Sequence, residues 1–326
     1  MPSAKKAYIV LGMKEIKELM KVGLSYPSYL KLYEEGELES RAEEAYKLLG
    51  RCNICPRKCG VNRIKGEKGF CKAGRETMVS SFHSHFGEEP PISGYRGSGT
   101  IFFTHCNLRC LFCQNYPISH LGNGNQISPS QLSQMMLSLQ KRGCHNINLV
   151  TPTHFTPQIF SSLFLAIKKG LNIPLVYNCG GYERVETLRL LEGIVDIYMP
   201  DMKYGEEKKS EKFSSAPDYF EVARKAVKEM YRQVGDLELN RKGIAQRGLL
   251  VRHLILPNGG GGTRKVFSFL REEISPTVYL SIMSQYFPAY KAQEFRELNR
   301  KVTREEYEEA LHIASELGLE RGWRQG

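Results

Sequence analysis

The feature that most limits how this chain can fold is an eight-residue stretch, Cys106-Asn-Leu-Arg-Cys-Leu-Phe-Cys113. Its three thiols stand at C-x3-C-x2-C spacing. It directly follows a β-like run, Thr100-Ile-Phe-Phe-Thr104. A tight cysteine loop at a strand end reads as a cradle for a metal or an iron–sulfur cluster, because thiolate is the soft ligand such centres use. A cubane cluster normally takes four cysteines. This loop offers three, and no fourth follows nearby. One iron would then keep a position for a ligand that is not protein. A structural zinc loop is the rival reading, and it lacks its fourth ligand.

A chain of 326 residues, 41% hydrophobic and 25% charged, can bury one large α/β domain with a smaller appendage. No uninterrupted apolar run approaches the roughly 18 residues of a membrane span, so no membrane association is expected. Met1 to Val10 carries Lys5 and Lys6 and lacks the pattern of a secretion signal. Seven of the nine cysteines fall in two close-spaced groups, which without such a signal favours metal binding over disulfides. A reducing, cytoplasmic setting follows as an expectation. The net charge of +11 fits solvated helix faces, or an acidic partner such as RNA. Residues 51–75 hold eight Lys and Arg against the single acid Glu67, a patch that could face RNA or offset thiolate charge.

Residues 1–50 read as a helical extension, with Ile16, Leu19 and Met20 on one face and further helices at 28–35 and 38–49. Residues 51–95 form a second unit. Cys52, Cys55, Cys59 and Cys71 lie in a turn-rich stretch too poor in apolar residues to fold unaided, so they are expected to bind zinc or a second iron–sulfur cluster. His83 and His85 read as sharing one face of a strand. The Pro/Gly-rich stretch 87–99 reads as a connector.

From residue 96 onward, strand and helix patterns alternate. Strands are expected at 100–104, 145–150, 173–178, 194–199, 249–256 and 277–283. Helices are expected at 129–142, 157–169, 183–192, 217–234, 263–273 and 303–317. Ser128 is the N-cap, and Pro129 the first helical residue, of the helix at 129–142. Alternation of this kind implies parallel strands with right-handed crossovers, in a barrel or an open doubly wound sheet.

In such architectures the site forms at the carboxyl ends of the strands. The residues there are Cys106–Cys113, then Thr151-Pro-Thr-His154, Asn178-Cys-Gly-Gly181, Pro200-Asp-Met-Lys203, Pro257-Asn258 and Ser284-Gln-Tyr286. Together they describe a cofactor site. Asp201 and Lys203 also fit a surface ion pair, and His154 a satisfied loop histidine. Arg252, inside an apolar strand, is harder to explain as structure, since a buried unpaired charge is costly. Cys144 and Cys179 read as packing residues, Cys179 with access to the rim.

The spacing, with Phe112 directly before the third cysteine, resembles that of the radical S-adenosylmethionine (SAM) superfamily. Cys110-Leu-Phe-Cys-Gln-Asn115 resembles the loop of pyruvate formate-lyase activating enzyme. So do Asn178-Cys-Gly-Gly-Tyr182, Val195-Asp-Ile-Tyr-Met-Pro-Asp-Met-Lys203 and Val251-Arg-His-Leu-Ile-Leu-Pro257. With Cys52–Gly60 and Glu88–Gly94, nearly the whole chain is similar to the uncharacterised activase-like subfamily. The resemblance implies an α/β fold, a partial (β/α)6 TIM-type barrel behind the helical and cysteine-rich extension. It implies a [4Fe–4S] cluster on Cys106, Cys110 and Cys113, with SAM on the fourth iron. Phe112 corresponds to the residue beside the adenine. Thr151, Thr153, Asn178, Asp201, Lys203, Arg252 and Gln285 correspond to SAM contacts. Pro152-Thr-His154 departs from the Gly-Gly-Glu turn that commonly holds the SAM amine.

The reading is therefore an enzyme that cleaves SAM reductively to a 5′-deoxyadenosyl radical for hydrogen abstraction, as the activase does. Its partners would be a reductant such as ferredoxin or flavodoxin and a protein, peptide or RNA substrate. Modification of RNA or a peptide is the nearest alternative to glycyl-radical activation. A two-cluster electron carrier and a zinc-stabilised nucleic-acid-binding protein are alternatives of other classes.

Overall fold

The computed structural model describes residues 27–325. The helical face with Ile16, Leu19 and Met20 lies outside the described residues. Ten strands form the sheet: β1 (Thr77–His85), β2 (Ser98–Phe103), β3 (Asn125–Ile127), β4 (Ile147–Val150), β5 (Leu175–Cys179), β6 (Ile197–Pro200), β7 (Glu238–Leu239), β8 (Ala245–Leu254), β9 (Tyr279–Met283) and β10 (Gly322–Arg324). Their order is β10-β9-β8-β6-β5-β4-β2-β1-β3, with β7 beside β8. Strands β2, β4, β5, β6, β8 and β9 pair in parallel. They are the six expected from the alternation. The sheet does not close, so the fold is a partial barrel of six β/α units.

Helices cover the outer face where the apolar period predicted them. The helix at Pro129–Lys141 begins with a capping box between Ser128 and Gln131 and buries Leu132, Met136 and Leu139. The helix expected at 263–273 is α-helical at Thr263–Phe269 and continues as a π turn at Leu270–Ile274. An additional helix, Glu207–Ser214, lies in a short, mostly charged stretch where no helix was expected.

Period-two alternation sorts the inward side chains into two layers. Val176, Ile197, Met199, Leu250 and Tyr279 make an apolar lower layer around Ile92. Ile92 belongs to the short helical turn Pro90–Ser93, so the stretch expected as a connector plugs the bottom of the barrel. One step up the same strands come Asn178, Asp201, Arg252 and Ser281. Strand β1 pairs antiparallel with β2 and carries His83 and His85, whose rings pack around Phe102.

The four-cysteine segment packs onto the barrel through paired contacts. Arg184 and Thr187 donate to the carbonyls of Asn53 and Ile54 at 2.7 Å each. The buried Arg63 donates to the carbonyls of Gly74 and His154.

Candidate active site

The polar upper layer opens into a cleft of about 430 Å³. Its rim comes from successive strand ends. Cys106, Cys110 and Cys113 follow β2, Thr151 follows β4, Asn178 to Gly180 end β5, Asp201 and Lys203 follow β6, Arg252 lies in β8, and Gln285 follows β9. Thr151 has φ +59°, an outlying conformation for a β-branched residue, and it bends the chain inward as its N–H bonds Asn178 O.

Three of the charged residues form one half-buried network. Lys203 Nζ lies 2.5 Å from Asp201 Oδ2, and Arg252 Nε lies 2.8 Å from Asp201 Oδ1. Arg252 also donates to Asn178 Oδ1 at 2.8 Å and stands 3.5 Å from Glu88 Oε2. Burial opposes ionising Asp201, but Arg252 and Lys203 outweigh it and hold the carboxyl below its usual range. Burial likewise opposes charging Lys203, and Asp201 reverses this and raises it. The pair is therefore half-buried inside the cleft, not a surface ion pair.

The thiols sit beside this network. Cys110 accepts a hydrogen bond from Ser214 Oγ at 3.0 Å, and Cys106 accepts one from the Leu108 N–H at 3.4 Å. Cys113 Sγ lies 3.0 Å from Ser119 Oγ. Burial, with the neighbouring Cys110, pushes the Cys106 thiol up to about 12. Burial also raises Cys110, against the pull of Lys203.

Two expected contacts do not reach the cleft. Thr153 is buried behind the rim and donates to Glu183 Oε1 at 2.6 Å. It lies in a 3-10 turn, Thr153–Phe155, that points it back into the protein. Phe112 is buried with its ring edge-on to Tyr204 and Tyr286. His154 is an interior histidine, with Nε2 2.8 Å from Thr104 O and Nδ1 without a hydrogen-bond partner among the described residues, and burial lowers it to about 3. Cys144 packs in the core, whereas Cys179 is buried yet borders the cleft.

The sequence reading missed Glu88 and Glu89. Both border the cleft, on the segment that climbs into the barrel before the Ile92 plug. Burial pushes the Glu88 carboxyl up to about 7 against the pull of Arg252, and Asn148 Nδ2 donates to it at 3.1 Å. Adjacent acids before Pro90-Pro91 were the available signal.

Residues 100–237 match the profile of the Radical SAM superfamily. The chain is also 32% identical over 291 residues to the uncharacterized protein MJ0674 of Methanocaldococcus jannaschii, covering 87% of this chain and 80% of that one. Residues 100–237 belong to the radical SAM superfamily. The uncharacterized protein MJ0808 of the same organism is similar at 24% identity, over 74% of this chain and 72% of that one. Among solved structures, native anSMEcpe with bound AdoMet and Cp18Cys peptide is similar over 65% of this chain and 56% of that one, at 13% identity and TM-score 0.45. Methylornithine synthase (PylB) is similar over 96% and 74%, at 13% identity and TM-score 0.43.

A radical SAM domain implies an enzyme with a [4Fe–4S] cluster and SAM. The donor set fits that pair. Among the described residues no three His, Cys, Asp or Glu side chains stand in ready metal geometry. The fit rests instead on chemistry. Three thiols share one loop, hydroxyl and amide donors face sulfur, and burial disfavours thiolates until a cation lies between them. No helix among the described residues is long and apolar enough to cross a membrane.

Proposed function

We propose that this radical SAM enzyme abstracts hydrogen in the manner of pyruvate formate-lyase activating enzyme, from a substrate bound in the barrel cleft. Cys106, Cys110 and Cys113 would hold the cluster. Reductive cleavage of SAM at that cluster supplies a 5′-deoxyadenosyl radical. The observation that carries the reading is the half-buried Lys203–Asp201–Arg252 network facing the three thiols across one cleft. It offers fixed charges of both signs to a zwitterionic ligand, in a half-buried site. Asp201 and Asn178 present oxygens suited to ribose hydroxyls, and Lys203 and Arg252 present donors suited to a carboxylate. Thr151 and Gln285 stand on the rim for further polar contacts. Thr153 and Phe112 would act only by supporting the walls.

Cys52, Cys55, Cys59 and Cys71 would form a second, closed metal site. Burial raises the Cys55 thiol, and Cys71 and Cys52 add to the rise. Arg63, 1% exposed, bonds only carbonyls and lies beside Cys71. A buried guanidinium without a carboxylate partner suits a thiolate-bound metal of net negative charge. Arg57 and Arg63 are engaged inside the protein, which weakens the case for an RNA-facing patch. A reducing, cytoplasmic setting with a ferredoxin or flavodoxin donor suits both sites.

The test is anaerobic incubation of the reconstituted protein with SAM and dithionite, measuring 5′-deoxyadenosine. Wild type should form it, and Cys110→Ala should fall to background. Equal formation by the two proteins refutes the reading, as does a protein that takes up zinc and no iron.

A further inference from the structure

Glu88 and Glu89 add two acids to the cleft. Three carboxyl groups border it, Glu88, Glu89 and Asp201, with two cations, Lys203 and Arg252. Lys203 is committed to Asp201. Arg252 faces Asp201, Asn178 and Glu88 with its three nitrogens. Glu89 is 5% exposed, and its Oε2 has no hydrogen-bond partner among the described residues. Ser281 Oγ, fully buried and also bordering the cleft, has none either.

Buried polar atoms are rarely left alone, and an unanswered carboxylate oxygen is among the costliest. The Glu89 oxygen accepts, and the Ser281 hydroxyl can accept. A donor-rich cation in the cleft would answer both. The other basic side chain at the cleft, His85, is disfavoured as that cation by burial and by its neighbour His83.

We propose that the floor of the cleft is a substrate subsite for a protonated amine or guanidinium group, received by Glu89 with Ser281. This rests on the radical SAM reading of the same cleft and names the chemical class of its substrate. The subsite lies below the rim, on the side walled by β9 and the plug, and not at the cysteine loop. A substrate anchored there by its charged end would present its carbon chain upward to the rim.

The binding test needs neither reductant nor turnover, so its failure is distinct from failure of SAM cleavage. Methylguanidinium and n-butylammonium are titrated against the full chain by ligand-observed NMR, with N-methylacetamide and acetate as neutral and anionic counterparts. The cations should bind saturably and at least about tenfold more tightly than the counterparts. Glu89→Gln, checked for folding by circular dichroism, should weaken cation binding at least about tenfold. Ser281→Val, which fills the same floor, should also weaken it. Binding of the cations should persist when reconstituted protein is saturated with SAM. The proposal is overturned if no cation binds, if the neutral amide binds equally well, or if folded Glu89→Gln binds as wild type. Displacement of the cations by SAM would assign the subsite to the SAM amine and overturn it too.

Discussion

Glu183 shows how a single buried carboxyl sets a pH response. Thr153 Oγ1 and Tyr177 OH donate to its two oxygens at 2.6 and 3.2 Å, yet burial dominates and raises it to about 8. An acid raised in the fold holds its proton there while the unfolded chain has released it. Stability therefore falls as pH rises from the unfolded value near 4.5 toward 8. Glu183→Gln removes the titration, and both hydroxyl partners can rotate to suit an amide. Chemical denaturation from pH 5 to 8 should show a shallower loss for Glu183→Gln than for wild type. Parallel curves would remove Glu183 as the cause. Asp201 is the opposite case. Asp201→Asn leaves Lys203 and Arg252 facing each other in a half-buried site, which should cost up to about 3–5 kcal/mol. A melting temperature within a degree or so of wild type would mean that the two cations find other partners.

The four-cysteine segment and the C-x3-C-x2-C loop are mechanically one element pair. Arg57 Nε donates to Asn107 O at 2.9 Å and its NH1 to Ser215 O at 2.5 Å, with the guanidinium stacked 3.8 Å above the Phe70 ring. Arg109, inside the loop, donates back to Phe70 O at 2.8 Å. Asn107 Nδ2 also donates to Tyr182 O at 2.6 Å, so the loop is held from two sides. The side-chain stem of Arg57 is matched by methionine, but its donors are not. Arg57→Met should fold and yet hold fewer iron atoms per chain after reconstitution, by about twofold or more, since each lost charged hydrogen bond is worth roughly 1.5–3 kcal/mol. Iron content equal to wild type would reduce Arg57 to a packing residue.

At the scale of the molecule, periodicity and thiol spacing carried much of the architecture. The six parallel strands and their covering helices follow from alternating apolar periods, and the rim residues follow from the rule that sites lie at strand ends. Strand β1 was legible only at His83 and His85, and β3, β7 and β10 not at all, because edge and antiparallel strands this short or this polar carry little period-two signal. Glu88 and Glu89 were hidden for another reason. A polar, proline-rich stretch looks like a linker, and only the plug made by Ile92 turns it into the floor of a cleft. The same long-range packing links the two cysteine groups, and this gives a test of the whole assembly. Residues 52–71 are held by Arg184, Thr187 and Arg63 to the ends of two β/α units, and through Arg57 to the cluster loop. A metal on Cys52, Cys55, Cys59 and Cys71 would then organise more than its own segment. Removing it with a chelator should increase amide exchange in residues 52–71 and also in 106–113, while β8 on the far side of the barrel keeps its protection. Exchange that rises only in 52–71 would make the two sites independent, and exchange that rises equally in β8 would mean that the chelator unfolds the barrel as a unit.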